Sequence, residues 1–396
     1  MAAENNLGKD KVSRLVWRIA IPSMLGQFVS VLYSIVDRMY IGNIPEIGDV
    51  ALAGVGVCGP VVTMVGSVAV LVGVGGAPLV SIRMGEEDLS AAKKVLANCF
   101  LMLIVFSVLL IGGILPFREP MLRLFGASDA TYPYADGYLT IYLLGSIFVM
   151  ISLGMNQFIN AQGFGRTGML TVLIGAVTNI LLDPVFIFVL GMGVQGAALA
   201  TILSQFLSAV WAVSFLRGKK ALIRLEWGSM RLQPKLVWQI VSLGFSSFVM
   251  AITNSIVQVA CNSTLQSFGG DLYVGVMTII NSVREVVSTP INGVTSAAQP
   301  VMGFNYGAQE YRRVRSGIVF TTIVCVVYTT AVWLLLFLFP RFFIGLFTGE
   351  EALREAAVPS MHIYFFGFFM MAFQVSGQAV FVGLGKSRQA VFFSLL

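Results

Sequence analysis

Charge is scarce in this chain. Asp, Glu, Lys and Arg make up 11% of its 396 residues, where soluble domains carry roughly 25%. Histidine is almost missing: His362 is the only one. A single imidazole builds neither an HExxH site nor a histidine cluster. The four cysteines, Cys58, Cys99, Cys261 and Cys325, lie inside apolar stretches and never in a CxxC spacing. Disulfide frameworks and zinc sites are therefore poor readings. A P-loop is also lacking, because Gly385-Lys386-Ser387 has Val380 where the first glycine belongs. ATP use by this chain is not expected. The first apolar block ends in Asp37-Arg38 without a small-residue cleavage site, so no removed signal peptide is expected and the N-terminus should be kept.

Hydrophobic residues are present in long blocks and make up 57% of the chain. About 20 consecutive apolar residues suffice to cross a bilayer as a helix. Soluble enzymes, DNA-binding proteins and disordered scaffolds are excluded on that ground. The blocks predict helices over 16–37, 51–82, 95–116, 134–161, 168–190 and 195–216. After a polar stretch at 217–235, more follow over 237–264, 272–303, 316–339 and 356–383, with a further start at 389. The net charge of +6 reads as topology rather than as nucleic-acid affinity. With the N-terminus inside, nineteen Lys and Arg fall on the cytoplasmic side and five outside, with Arg284 left within a helix. That bias obeys the positive-inside rule.

An internal repeat emerges at a shift of 222. Pro78 and Gly85 fall on Pro300 and Gly307, and Leu124-Phe125 falls on Leu346-Phe347. Ile141-Tyr142 and Gly145 fall on Ile363-Tyr364 and Gly367, while Gly163-x-Gly165 meets Gly383-x-Gly385 if the shift drifts to 220. Both halves start on the same side, so the repeat is parallel. The expected fold is an all-α polytopic membrane protein of two six-helix lobes, 1–216 and 236–396, joined by a cytoplasmic linker at 217–235. On that repeat the chain stops inside an eleventh helix, and the last helices of a twelve-helix fold are expected to be missing.

Ionisable groups inside spans carry the chemistry, since a charge in hydrocarbon costs at least about 2.5–3.5 kcal/mol. Three acids qualify: Asp37, Asp183 and Glu285. At ~1.5 Å per residue, Asp183 lies roughly 22 Å from the inner start of its helix, and Thr201 about 9 Å from the outer surface. Asp37 is as deep as Asp183, so the three can meet in the outer half of the first lobe. Asn179 and Asp183 are four apart and share a helix face. An amide there can bond a carboxyl in either protonation state. The competing reading is that Asp183, followed by Pro184, satisfies backbone groups freed at a kink. Tyr138, Asn156, Gln157 and Asn160 add polar groups on the fourth helix, as site or as interhelical glue. Glu285 adjoins Arg284, but neighbouring helical residues do not face each other. Each needs another partner, in a structural ion pair or a coupling site.

These motifs resemble the multidrug and toxic compound extrusion (MATE) family of secondary transporters, in its DinF-like prokaryotic branch. The resemblance lies in Ser34-Ile35-Val36-Asp37-Arg38, in Gln162-Gly163-Phe164-Gly165-Arg166, and in Asn179-Ile180-Leu181-Leu182-Asp183-Pro184. It continues in Gln299-Pro300 and Gly303-Phe304-Asn305-Tyr306-Gly307-Ala308. Arg38 departs from the family pattern, which has an uncharged residue there. The resemblance implies a V-shaped cleft and export of amphiphilic, cationic drugs driven by entering protons or sodium. It implies a cation site of Asp37, Asn179, Asp183 and Thr201, with Tyr138 and Asn156 in its supporting network. Asn160 and Glu285 complete the candidate substrate or supporting residues. No enzyme activity and no cofactor beyond transported H+ or Na+ are expected. The expected partners are a drug-like small molecule and the lipid bilayer, without nucleic acid, for a monomer in a bacterial inner membrane. The alternative is a flippase for a lipid-linked oligosaccharide or peptidoglycan precursor. It would need a strongly cationic cleft, and Arg284 is the one arginine well inside a span.

Overall fold

The computed structural model describes residues 7–226, 228, 230–347 and 351–395, apart from ten side chains between 252 and 274. It is built from helices: α1 (Val12–Gly42), α2 (Gly48–Val57), α3 (Gly59–Gly85), α4 (Leu89–Ile114) and α5 (Arg118–Leu124). Next come α6 (Tyr132–Leu144), α7 (Ser146–Ala161), α8 (Gly165–Pro184) and α9 (Gly193–Arg217). The remainder are α10 (Pro234–Gly307), α11 (Tyr311–Leu338), α12 (Pro340–Gly345), α13 (Glu351–Phe365), α14 (Met371–Gly383) and α15 (Ser387–Leu395). Eight helical stretches among the described residues are long and apolar enough to cross a membrane, or nine if the bent pair α6–α7 is one span.

The apolar blocks located the helices but not their breaks. The single helix expected over 51–82 is two, because the chain re-caps at Cys58 with Pro60 in the first turn of α3. Proline suits that position, where its missing N–H has no helical partner. The helix expected over 134–161 is α6 and α7, bent by 55° about Gly145. Conversely, 237–264 and 272–303 are one helical run, α10, of 74 residues. Drawn straight it would be about 111 Å long. Yet Gly244 packs on Leu71 and Phe304 packs on Gly85, two points of α3 only about 21 Å apart along that helix. The run therefore doubles back on itself, without a non-helical linker.

The repeat is tighter in space than in sequence. The shift of 222 carries the start of α4 to that of α11, and Gly145 at the α6–α7 bend to Gly367 in the break between α13 and α14. It carries Glu87 (φ 61°) to Gln309 (φ 60°). Gly163 (φ 86°) corresponds to Gly385 (φ 70°), so the drift to 220 is unnecessary. Positive φ costs an L-residue energy and glycine none, which keeps that pair.

Among the described residues the apolar side chains gather in three large cores and a small one at Leu243, Val382 and Ala390. One gathers residues from Ile41 to Ile240, a second from Val276 to Val375. The third joins Leu7–Ala20 at the start of α1 to Val294–Met302 of α10 and Val380. At the end of the molecule holding residues 85–88, 217–226 and 307–310, the linker end, the halves meet backbone to backbone. Gly85 faces the Phe304 carbonyl and Gly307 faces the Ile82 carbonyl. These two contacts are each other's image under the repeat.

Candidate functional site

The packing of α1 on α8 builds the site. Gly165 lies 2.9 Å, measured from an added Cβ, from the Ile19 Cα, and Gly26 lies 3.7 Å from the Met169 Cα on the same measure. Such small residues let two helices approach closely. The helices run parallel. Asp37 is as far along α1 from Ile19 as Asp183 is along α8 from Gly165, so the two acids arrive at the same height. Their carboxyl groups are close enough to interact with one another.

Asn179 Nδ2 donates to Asp183 Oδ1 at 3.2 Å and to Thr201 Oγ1 of α9 at 3.4 Å. Asp183 thus turns to Asn179 and Asp37, and among the described residues its carboxyl group makes no hydrogen bond to the backbone. A π-helical turn follows at Val185–Val189; such turns are frequent at functional sites. Asp37 Oδ1, Asp183 Oδ2 and Asn179 Oδ1 are buried and accept no hydrogen bond among the described residues. With the Thr201 hydroxyl they form an oxygen-rich cluster suited to a proton or a hard monovalent cation. Among the described residues no group of three His, Cys, Asp or Glu could hold a metal ion.

Asp37 and Thr201 open onto a cavity of about 430 Å3 that Tyr138, Tyr142, Tyr33 and Gln205 also line. Tyr138 is buried and stacks on Tyr142 with ring centroids 6.0 Å apart. Asn156 and Asn160 sit one cavity further, in a polar space of about 210 Å3 with Ser23, Gln27 and Ser208. Ser30, Tyr33, Leu153 and Gln205 border both spaces. The amide oxygens of Asn156 and Asn160 face Gly168, where an added Cβ would crowd them. Tyr33 and Gln205 were missed by sequence reasoning. The spacing that singled out Asn179 and Asp183 also links Tyr33 to Asp37 and Thr201 to Gln205.

Glu285 does not join this cluster. It is exposed on α10 and lines a separate cleft of about 730 Å3, together with Arg38, Met24, Phe28, Tyr328 and Phe347. The sequence places Glu285 among the candidate substrate or supporting residues without saying which, because depth along a helix says nothing of the direction a residue faces. No ion pair among the described residues includes Arg284 or Glu285; Arg284 lies near the Tyr364 ring. His362 Nε2 lies 3.0 Å from the Phe337 carbonyl oxygen, and its ring packs on the Phe337 ring.

A model of the MatE family matches residues 22–185 and 246–396. The chain belongs to the MatE family. As a MatE protein it is a membrane transporter and not an enzyme. The chain is 24% identical over 354 residues to the multidrug export protein MepA of Staphylococcus aureus, covering 88% of this chain and 76% of that protein. It is 23% identical over 348 residues to MepA of Staphylococcus saprophyticus, covering 87% and 76%. Among solved structures it resembles a MATE protein in complex with MaL6, with a TM-score of 0.91 and 23% identity over 100% of this chain and 88% of that one. An outward-facing multidrug resistance MATE transporter of the MOP superfamily superposes with a TM-score of 0.90 at 23% identity, covering 99% and 87%. At that identity the solved structures establish the shared fold.

Proposed function

We propose that this MatE protein is a cation-coupled multidrug efflux antiporter of the bacterial inner membrane, with its N-terminus and linker end in the cytoplasm. Its lobes, 1–216 and 236–396, rock about their seam and expose the cleft to one side at a time. The observation that carries this reading is that one helix, α1, borders both working spaces. Asp37 of α1 interacts with Asp183 and shares a cavity with Thr201, while Met24, Phe28, Ser34 and Ile35 of α1 form a wall of the 730 Å3 cleft. That volume falls in the range of about 300–1,000 Å3 of drug-sized sites. Its aromatic and methionine lining suits amphiphiles of varied shape, and Glu285 offers a carboxylate to a cationic group in the same space that Arg38 borders with the opposite charge.

Two ionised carboxylates in contact repel each other, and a proton or Na+ entering between them removes the repulsion. Any shift of α1 that follows changes the cleft wall, which links cation entry to drug release. The test is dye efflux from vesicles under an imposed pH gradient and then under a sodium gradient. Wild-type protein should respond to at least one gradient, and Asp37→Asn and Asp183→Asn should each abolish that response. Unchanged gradient-driven efflux in both variants sinks the coupling site.

A further inference from the structure

The segment just before α1 is fastened to the opposite half of the molecule by a side chain that the transport chemistry does not use. Arg313, on the first turn of α11, donates from Nη2 to the carbonyls of Asp10 at 2.6 Å and Leu7 at 3.2 Å, and from Nη1 to Lys9 at 3.5 Å. Its Nε donates to Asn305 Oδ1 at 2.6 Å, and Asn305 Nδ2 in turn donates to the Leu7 carbonyl at 3.1 Å. Leu7 is 2% exposed, and Gly8 leaves room for the Phe304 ring, which would stand 3.1 Å from an added Cβ. A guanidinium presents five donors in a fixed fork, and bonds from an ionised donor are stronger than neutral ones. The grip is on backbone carbonyls, so it holds the path of the chain rather than any one side chain.

The repeat gives this contact a counterpart. Residues before α10 dock on α4, the equivalent of α11: Gln233 N–H donates to Asn98 Oδ1 at 2.8 Å, and Lys93 pairs with Glu226 at 2.6 Å. Each half therefore sends the segment before its first helix across to the other, both at the linker end. The second crossing is part of the linker that joins the halves in any state. Among the described residues the first is held to the other half by hydrogen bonds and apolar contacts, and it leads directly into α1, which carries Asp37.

We propose that Arg313, set by Asn305, is a positioning residue of the transport cycle. It keeps the linker end closed by gripping residues 7–10, and it releases them when that end opens. The proposal rests on the rocking of two lobes but not on the identity of the cation site. Spin labels at Leu89→Cys and Tyr311→Cys, exposed residues related by the repeat, report the separation of the halves by pulsed electron resonance once the native cysteines are replaced. Arg313→Gln should raise the long-distance population at least 5-fold. Arg313→Lys should raise it less, and Arg315→Gln, on an exposed neighbour, should leave it unchanged. Deleting residues 1–10 should reproduce the Arg313→Gln distribution, and combining the two should add nothing. An unchanged distribution in Arg313→Gln overturns the proposal, as does a full Arg313→Gln effect on top of the deletion. If Arg313→Gln fails to fold, the deletion reads the same distances, and no change there overturns it equally. Normal efflux in the Asp37 and Asp183 variants would remove the coupling site while leaving these distances as stated.

Discussion

Gly85 and Gly307 offer a quantitative test of how the halves close. Replacing Gly85 with alanine puts a methyl group against the Phe304 carbonyl oxygen, with the Ala308 nitrogen at 2.8 Å and the Phe304 carbonyl carbon at 2.9 Å. All three neighbours are backbone atoms, so no rotamer change relieves the contact and the helices must separate. Overpacking of this kind costs about 1–3 kcal/mol, and the better helix propensity of alanine is present in the open and closed arrangements alike, so it cancels from their ratio. At the lower part of that range the closed arrangement loses roughly 1–2 kcal/mol, a factor of about 5–30 in its population. Ser296 lines both the polar cavity and the small pocket at the Pro78–Pro300 seam, so Ser296→Cys in a background without the native cysteines reports opening. Its labelling by a charged maleimide applied at the linker end should speed up 5–30-fold in Gly85→Ala. Gly307→Ala should behave alike, because the repeat relates the two contacts. Gly112→Ala, with open space around it, should gain about 0.4–1 kcal/mol of stability and leave labelling unchanged. If Gly85→Ala labels and melts like wild type, these backbones do not form the closure.

Three further outcomes follow from the hydrogen bonds. Gln162 is fully buried and bonds both the N–H and the C=O of Ile223, at 2.9 and 3.3 Å; Gln162→Leu should destabilise the protein by about 1–3 kcal/mol, read as a lower melting temperature in detergent. Lys93→Ala breaks a pair that is partly exposed on both sides, and such pairs are worth about 0–1 kcal/mol, so its melting temperature should barely move. Asn179→Leu strips Asp183 and Thr201 of their shared donor; at about 1–3 kcal/mol for the buried Asp183 oxygen left unpaired, gradient-driven efflux should fall roughly 5- to 150-fold. Asn179→Leu efflux within twofold of wild type would separate Asn179 from the cation site.

Helix capping explains why boundaries were less legible than spans. The start of α4 is set by Asp88, whose side chain accepts from the Ala91 N–H at 2.9 Å, a local signal that hydropathy averages away. The breaks at Cys58 and Gly145 lie inside unbroken apolar stretches, so a hydropathy reading runs through them. At Gly145 an added Cβ would strike the Ile202 side chain, a partner far along the chain. The motif Gly303-Phe304-Asn305-Tyr306-Gly307 was visible as a pattern but not as a purpose. Its Asn305 and Gly307 serve the crossing segment and the seam, and both partners come from distant sequence.

The sequence alone determined the medium, the repeat and the short-range pairing of Asn179 with Asp183. Each depends on composition or on a spacing along one helix, and hydrocarbon penalises a misplaced charge strongly enough to leave a clear trace. Only the tertiary structure decided that Asp37 reaches Asp183, that Glu285 faces a different space, and that Arg313 holds the opposite half. Those outcomes depend on the register and rotation of one helix against another, set by small residues at the contacts. A change of about 100° in helix facing, the step between adjacent residues, moves a side chain from site to cleft without altering the hydropathy of the span.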